Sequence, residues 1–297
     1  MFLTKNNLWV IPIPDSSVTS DMSIVGARQL TREVEMIEGV SVSRDGHWIA
    51  FDSNRSGNSE IYRMARTGGR PEQLTNDPHD DFMPAWSPDG RSIAFYSFRT
   101  GNRDIFVMSS DGGDLEQLTH DPAQERYPVW SPDGQTLVFS SDKPGRPQLF
   151  MVHKEGGKWA QPRQFTTEGG VLAQWSPDGR YIAYLSGGVR VLAPSGGVSR
   201  LLVSREASLA PEYVAWSSDS QTVYFKARDE RNQAGFWSVP VTGGPPKQLV
   251  RFDDPARPSP RIEFATDGKE FLFTLSERNS DIWLLDLRRS FAPARGE

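Results

Sequence analysis

The sequence predicts an all-β chain folded as a β-propeller of four-stranded antiparallel blades, and three observations carry that expectation. A phrase of the form WSPDG followed by an apolar strand recurs six times along the 297 residues. The turn hydroxyl of each copy falls at 43, 87, 131, 176, 217 and 266, a spacing of about 41 to 49 residues that suits propeller blades. Each copy also holds four strand-like segments divided by turn residues.

The clearest copies are AWSPDGRSIAFYSF from Ala85, VWSPDGQTLVFSSD from Val129 and QWSPDGRYIAYLSG from Gln174. Worn copies are SVSRDGHWIAFDSN from Ser41, AWSSDSQTVYFKAR from Ala215 and EFATDGKEFLFTLS from Glu263. In the copy at Ala85 a first strand over 84–87 ends at Pro88, Asp89 and Gly90. There proline fixes φ, aspartate bonds the backbone and glycine tolerates positive φ, which makes a tight turn. The second strand, 92–97, is rich in β-branched and aromatic residues. A polar hairpin, FRTGNRD in this copy, leads to a third strand, also seen at 61–64, 149–152 and 236–239. A glycine turn at Gly68, Gly112, Gly156, Gly196 or Gly243 then precedes a fourth strand reading PEQLT, LEQLT, PRQFT, SRLLV or PKQLV. One such sheet cannot bury both faces, so the blades stack radially with the first strand innermost. Asp45, Asp89, Asp133, Asp178 and Asp267 share one turn position and are expected as turn formers, while Trp86, Trp130, Trp175 and Trp216 are expected to fill the wedge between blades.

The SPDG turn, the aromatic before it, the IAF strand and the closing QLT are similar to the WD-like repeat of the TolB β-propeller family, over about residues 1–287. The resemblance implies a single propeller domain over 1–297, with repeats near 41–75, 85–119, 129–166, 174–203, 215–250 and 263–287. It also implies a ring closed by one terminus completing a blade begun by the other, here residues 28–31 as outer strand to 263–287, which gives six blades. The alternative is seven blades, because 1–4 and 8–13 read as strands two and three of an incomplete first blade. For function the resemblance implies a bacterial, periplasmic or cell-envelope setting and a bound outer-membrane lipoprotein complex. Similar repeats serve as scaffold or sensor parts of larger proteins, so a monomer or part of a longer protein is expected.

Composition narrows the chemistry. The chain is 37% apolar and 24% charged, carries net charge −5 and has no cysteine, which excludes disulfides, thiol catalysis and cysteine-ligated zinc. The acidity leaves no basic stripe for nucleic acid, and no run reaches the roughly 18 to 20 apolar residues of a membrane span or forms a secretory signal. There is no G-x-S-x-G elbow, and Gly156, Gly157 and Lys158 lack the remainder of a phosphate loop. His47, His79, His120 and His153 fall in different repeats without metal-ligand spacing. No catalytic residue, metal set or cofactor is expected.

The non-repeating segments 32–40, 76–84, 120–128, 167–172, 204–213 and 251–260 connect blades and should ring one mouth of the axial channel. Together they are more acidic than the chain, while hairpins carrying Arg55, Arg99, Arg103, Lys143, Arg146, Lys226, Arg228 and Arg231 should form a basic rim. Aromatic and charged residues side by side are a common makeup of protein-binding anchors. The candidate partner-binding residues are therefore Asp80, Asp81, Phe82, Glu125, Arg126, Tyr127, Glu212, Tyr213 and Arg257. The expected function is a non-catalytic protein- or peptide-binding propeller whose carboxylates favour a basic or amino-terminal group. The alternative is a hydrolase or lyase acting on a saccharide or small ester through carboxylates such as Asp80, Asp81, Glu125 or Glu212, with or without a divalent cation.

Overall fold

Apolar residues on both faces of the second strands, as in Thr136–Ser141 with all six residues buried, require a sheet covered on each side. A computed structural model of the chain provides that cover; it describes residues 5–14, 22–31, 36–206, 208–254, 257–259 and 261–277. Six antiparallel sheets of at least four strands each form a ring of blades. Blade 1 is Val40–Val42, Trp48–Ser53, Glu60–Ala65 and Glu72–Gln73, and blade 2 is Asp81–Trp86, Ser92–Ser97, Asp104–Ser109 and Glu116–Gln117. Blade 3 follows as Glu125–Trp130, Thr136–Ser141, Gln148–Glu155 and Arg163–Gln164, with Lys158–Trp159 as an added hairpin strand. Blade 4 is Val171–Trp175, Ile182–Leu185, Gly188–Leu192 and Arg200–Ser204. Blade 5 is Leu209–Trp216, Thr222–Asp229, Ala234–Pro240 and Lys247–Arg251, with Met22–Ser23 pairing parallel on its outer edge.

Blade 6 closes the ring in a way the sequence reading had only in part. Phe264–Thr266 and Glu270–Glu277 supply its inner strands, but its third strand is Lys5–Pro12, and Arg28–Gln29 is outermost. The register sets Leu8 against Thr274 and Trp9 against Phe273. The strand-like character of 8–13 is therefore real, yet it belongs to the sixth blade and not to a seventh. Leu8 and Ile11 are fully buried there, and Trp9 packs with Phe236, Phe264, Phe271 and Phe273 at the seam with blade 5. Residues 1–4 and 278–297, which hold the expected strand at 1–4 and the end of the expected repeat at 263–287, lie outside the described residues.

The repeated turn is built as the sequence suggests. Its serine hydroxyl donates to the aspartate two residues on, at 2.6 Å for Ser87 to Asp89 and 2.5 Å for Ser131 to Asp133. The same hydroxyl accepts from the backbone N–H five residues on, at 2.9 Å in both turns. Two tryptophans of the inner strands stitch blades together: Trp130 Nε1 donates to the Ala85 carbonyl at 3.1 Å, and Trp216 Nε1 donates to the Gln174 carbonyl at 2.9 Å.

Candidate functional site

The inner strands bulge where they enter the channel. Pairing shifts register between Phe82 and Ala85, between Arg126 and Val129, and between Val171 and Gln174. At these bulges Met83, Tyr127 and Leu172 hold φ of 56°, 58° and 56°. A left-handed conformation at a non-glycine residue costs about 1 to 3 kcal/mol, so surrounding packing must enforce it. Its effect is to turn three large side chains toward the axis, where they line the channel with Tyr213, Trp175 and Phe264. The channel holds a cavity of about 240 Å³.

Tyr127 and Tyr213 are the sequence-predicted residues that line this channel. The Tyr127 ring stands edge-on to Tyr96 at 6.1 Å, and Tyr213 stands edge-on to Phe264 at 5.5 Å while its hydroxyl accepts from Gln174 Nε2 at 3.1 Å. Burial raises both phenols above their ordinary range, and the carboxyl of Glu263 raises them further.

The other candidates lie elsewhere. Asp81 is fully buried and takes two bonds from Arg99 Nη2, at 3.0 and 2.8 Å, so it serves the inside of blade 2 and not the mouth. Asp80 Oδ1 accepts from the Ser59 N–H at 2.8 Å, and half-buried Phe82 packs on Tyr96 and Phe98. Glu125 is buried at the seam of blades 2 and 3, beside a cavity separate from the channel, and Arg126 is half-buried next to Tyr127. Glu212 accepts from Arg228 Nε at 3.0 Å and Arg257 donates to Asp254 at 2.6 Å, its guanidinium lying over the Trp9 ring. Tyr127 and Tyr213 are thus brought together at the channel, and the carboxylates are spread around it.

A second set of charged groups, buried behind the channel lining, was not among the candidate residues. Lys226, expected in the basic rim, is fully buried; its ammonium donates to Ser259 Oγ at 2.6 Å and to the Arg261 carbonyl. Burial lowers this amine to about 7, and burial pushes the neighbouring Glu263 carboxyl up to about 7. Asp52, also buried, is pushed up to about 7 by desolvation, although it accepts the backbone N–H groups of Glu38, Gly39 and Met83 at 2.8, 3.0 and 2.9 Å. Glu38 pairs with Arg261 at 2.6 Å, joining blade 6 to blade 1. The signal was present in the repeat itself. After the ring residue of the second strand, the six blades carry Asp52, Tyr96, Ser140, Leu185, Lys226 and Thr274, and only two of these are charged. Charges at a position that the other repeats leave neutral mark a local requirement.

The four histidines do not converge: His79 contacts Asp77 at 2.9 Å, His47 contacts Asp45 at 3.1 Å and His153 contacts Thr136 at 2.7 Å. Among the described residues no three His, Asp or Glu side chains are close enough together to hold a metal ion. No helix among them is long and apolar enough to cross a membrane.

Fold and channel together define a six-bladed β-propeller with an aromatic, charge-flanked axial mouth. Residues 68–249 match the TolB beta propeller domain, and the chain belongs to that family. Among solved structures it is similar to the putative TolB from Agrobacterium tumefaciens, with TM-score 0.71 and 17% identity over 92% of this chain and 98% of that one. It is also similar to TolB from Acinetobacter baumannii, with TM-score 0.62 and 18% identity over 92% of this chain and 64% of that one. A third likeness is to oligogalacturonate lyase from Vibrio parahaemolyticus, with TM-score 0.56 and 13% identity over 86% of this chain and 74% of that one. At these identities the likeness is one of fold. No curated protein matches the sequence.

Proposed function

We propose that the protein is a non-catalytic scaffold or sensor of the bacterial cell envelope that receives a protein or peptide segment at the channel mouth, by a basic or amino-terminal group. The observation that supports this reading is the pairing of Tyr127 and Tyr213 around the channel with the Glu263 carboxyl close enough to act on both phenols. Tyrosine supplies rigid contact area with a polar tip, and a carboxyl behind it attracts a cation that the rings alone would hold weakly. The setting is taken from the family resemblance. Capture of envelope proteins on immobilised chain tests the reading, with Tyr127→Ala and Glu263→Gln beside the parent. A partner held by the parent and lost by both variants, each still melting cooperatively as a folded protein, is the expected outcome. Retention by both variants removes the mouth as the site.

A lyase or hydrolase acting on a saccharide is the second reading, and it draws on the likeness to oligogalacturonate lyase. Turnover of oligogalacturonate with and without Mn²⁺ decides it, since a structural neighbour is an oligogalacturonate lyase in complex with manganese.

A further inference from the structure

The first three blades carry the same pair of stacked rings on their second and third strands. Phe51 and Tyr62 lie 6.0 Å apart at 21°, Phe95 and Phe106 lie 5.9 Å apart at 26°, and Phe139 and Phe150 lie 6.1 Å apart at 22°. In blades 1 and 2 a guanidinium from the following hairpin covers them. Arg55 sits 5.4 and 4.7 Å from its two ring centroids, and Arg99 sits 5.6 and 4.8 Å from its own. In blade 2 that guanidinium also closes on buried Asp81 and donates through Nε to Ser97 Oγ at 2.9 Å. The set is complete: two rings, a hydroxyl, an acid and an arginine.

Blade 3 keeps four of the five parts. Ser141 stands where Ser97 does, and Glu125, six residues before the turn serine, stands where Asp81 does, but Lys143 replaces the arginine. Lys143 turns outward with its side chain 57% exposed and pairs with Asp121 at 2.7 Å. Glu125 is 1% exposed; its Oε1 accepts from Ser141 Oγ at 2.7 Å, while its buried Oε2 receives no N–H or hydroxyl donor and has the Asp121 carboxyl close by. Beside it opens a cavity of about 260 Å³, walled by Leu118, Phe139 and Phe150 and rimmed by exposed His120, Gln161 and Lys143.

We propose that this cavity is a guanidinium-binding site, taking the head of an arginine side chain or of a small alkylguanidinium between the Phe139–Phe150 rings and the Glu125 carboxylate. A guanidinium is planar, weakly hydrated and able to stack on rings while donating to a carboxylate and a hydroxyl at once, as Arg99 does one blade away through Nη2 to both Asp81 oxygens and Nε to Ser97. An ammonium is compact and strongly hydrated and matches neither feature. Leaving the buried Oε2 without a donor is costly. Burial pushes the Glu125 carboxyl up to about 7, with Asp121, Asp104 and Asp142 adding to it, so a cation here relieves both charge and desolvation. The site lies apart from the channel and does not depend on the channel's function.

Titration of the chain with butylguanidinium, butylammonium and a blocked tripeptide holding a central arginine, followed by calorimetry or amide NMR, tests the proposal. Saturable butylguanidinium binding is expected, at least tenfold tighter than butylammonium. Lys143→Arg should abolish it, because its own guanidinium then occupies the rings, and Glu125→Gln should weaken it at least tenfold. Tighter binding of the tripeptide than of butylguanidinium assigns the site to a partner's arginine, and the reverse assigns it to a small guanidinium compound. Melting temperatures of both blade 3 variants at or above that of the parent show that lost binding is not lost folding. Absence of saturable guanidinium binding to the parent, or parent-like binding by Lys143→Arg, overturns the proposal.

Discussion

Gly134 holds φ of +70° in the blade 3 turn, and its nearest neighbour beyond the adjoining residues is Pro88 Cδ of blade 2, at 3.7 Å from where a Cβ would stand. A side chain there meets conformational strain and little collision. Ser220 takes the same place in blade 5 at φ of 61°, so the backbone persists without glycine at a cost. Gly134→Val should lower stability by about 1 to 3 kcal/mol in chemical denaturation, and an unchanged midpoint would mean that the turn relaxes to another type. Arg99→Ala should cost more, about 3 to 5 kcal/mol, because it strips Asp81 of its charged donor while leaving the carboxylate fully buried. Conversion of Asp81 to asparagine in the same chain should recover part of that loss. Asp81 also shows why the site was only partly legible in the sequence. Asp80 and Asp81 are adjacent acids in a connecting segment, and nothing local says that the inner strand begins at Asp81 and turns it inward. Tyr127 and Tyr213 lie within the inner strands, at a fixed distance before a turn whose register the repeat sets.

Inner strands carry the contacts that hold one blade to the next. Trp130 is 8% exposed, spans the seam to blade 2 and donates across it to Ala85. Trp130→Ala should destabilise by roughly 3 to 5 kcal/mol, and a loss below about 1 kcal/mol in a denaturant titration would show that the seam closes over the gap. The blade architecture was legible because turn, strand and closing segment repeat, so each element was read six times. Bulges were not, since Met83, Tyr127 and Leu172 share no residue type that demands positive φ. The third strand of blade 6 was misplaced for a related reason: an apolar strand at 5–12 looks alike whichever blade it serves, and only the burial of both its faces chooses.

The whole molecule balances two opposed sets of carboxyls. Asp52, Glu125 and Glu263 are pushed up to about 7, chiefly by burial, so the folded state favours their protonated forms. Their cost to stability is present above about pH 7 and is relieved as pH falls toward the ordinary value near 4. The turn aspartates, such as Asp89 and Asp133, are lowered by their serine hydroxyls, so their contribution is present above about pH 4 and lost below it. Lys226, lowered to about 7 by burial, imposes a cost that is constant below about pH 7 and fades above it toward its ordinary value. Melting temperature should therefore rise from about pH 7 to about pH 5 and fall below about pH 4, with the first rise reduced in Glu125→Gln. A steady decline between pH 7 and pH 5 would contradict the burial of these acids. The clasp of blade 6 sets a different kind of limit. Its pairing of Leu8 with Thr274 joins residues far apart in the order of synthesis, so on the ribosome the strand at 5–12 waits for its partner until residues 270–277 have been translated. Such a late long-range pairing delays closure, and during that interval Leu8, Trp9 and Ile11 are a greasy segment open to chaperones and proteases. Nascent chains arrested before residue 264 should be cut within 5–12, and chains released beyond 277 should resist.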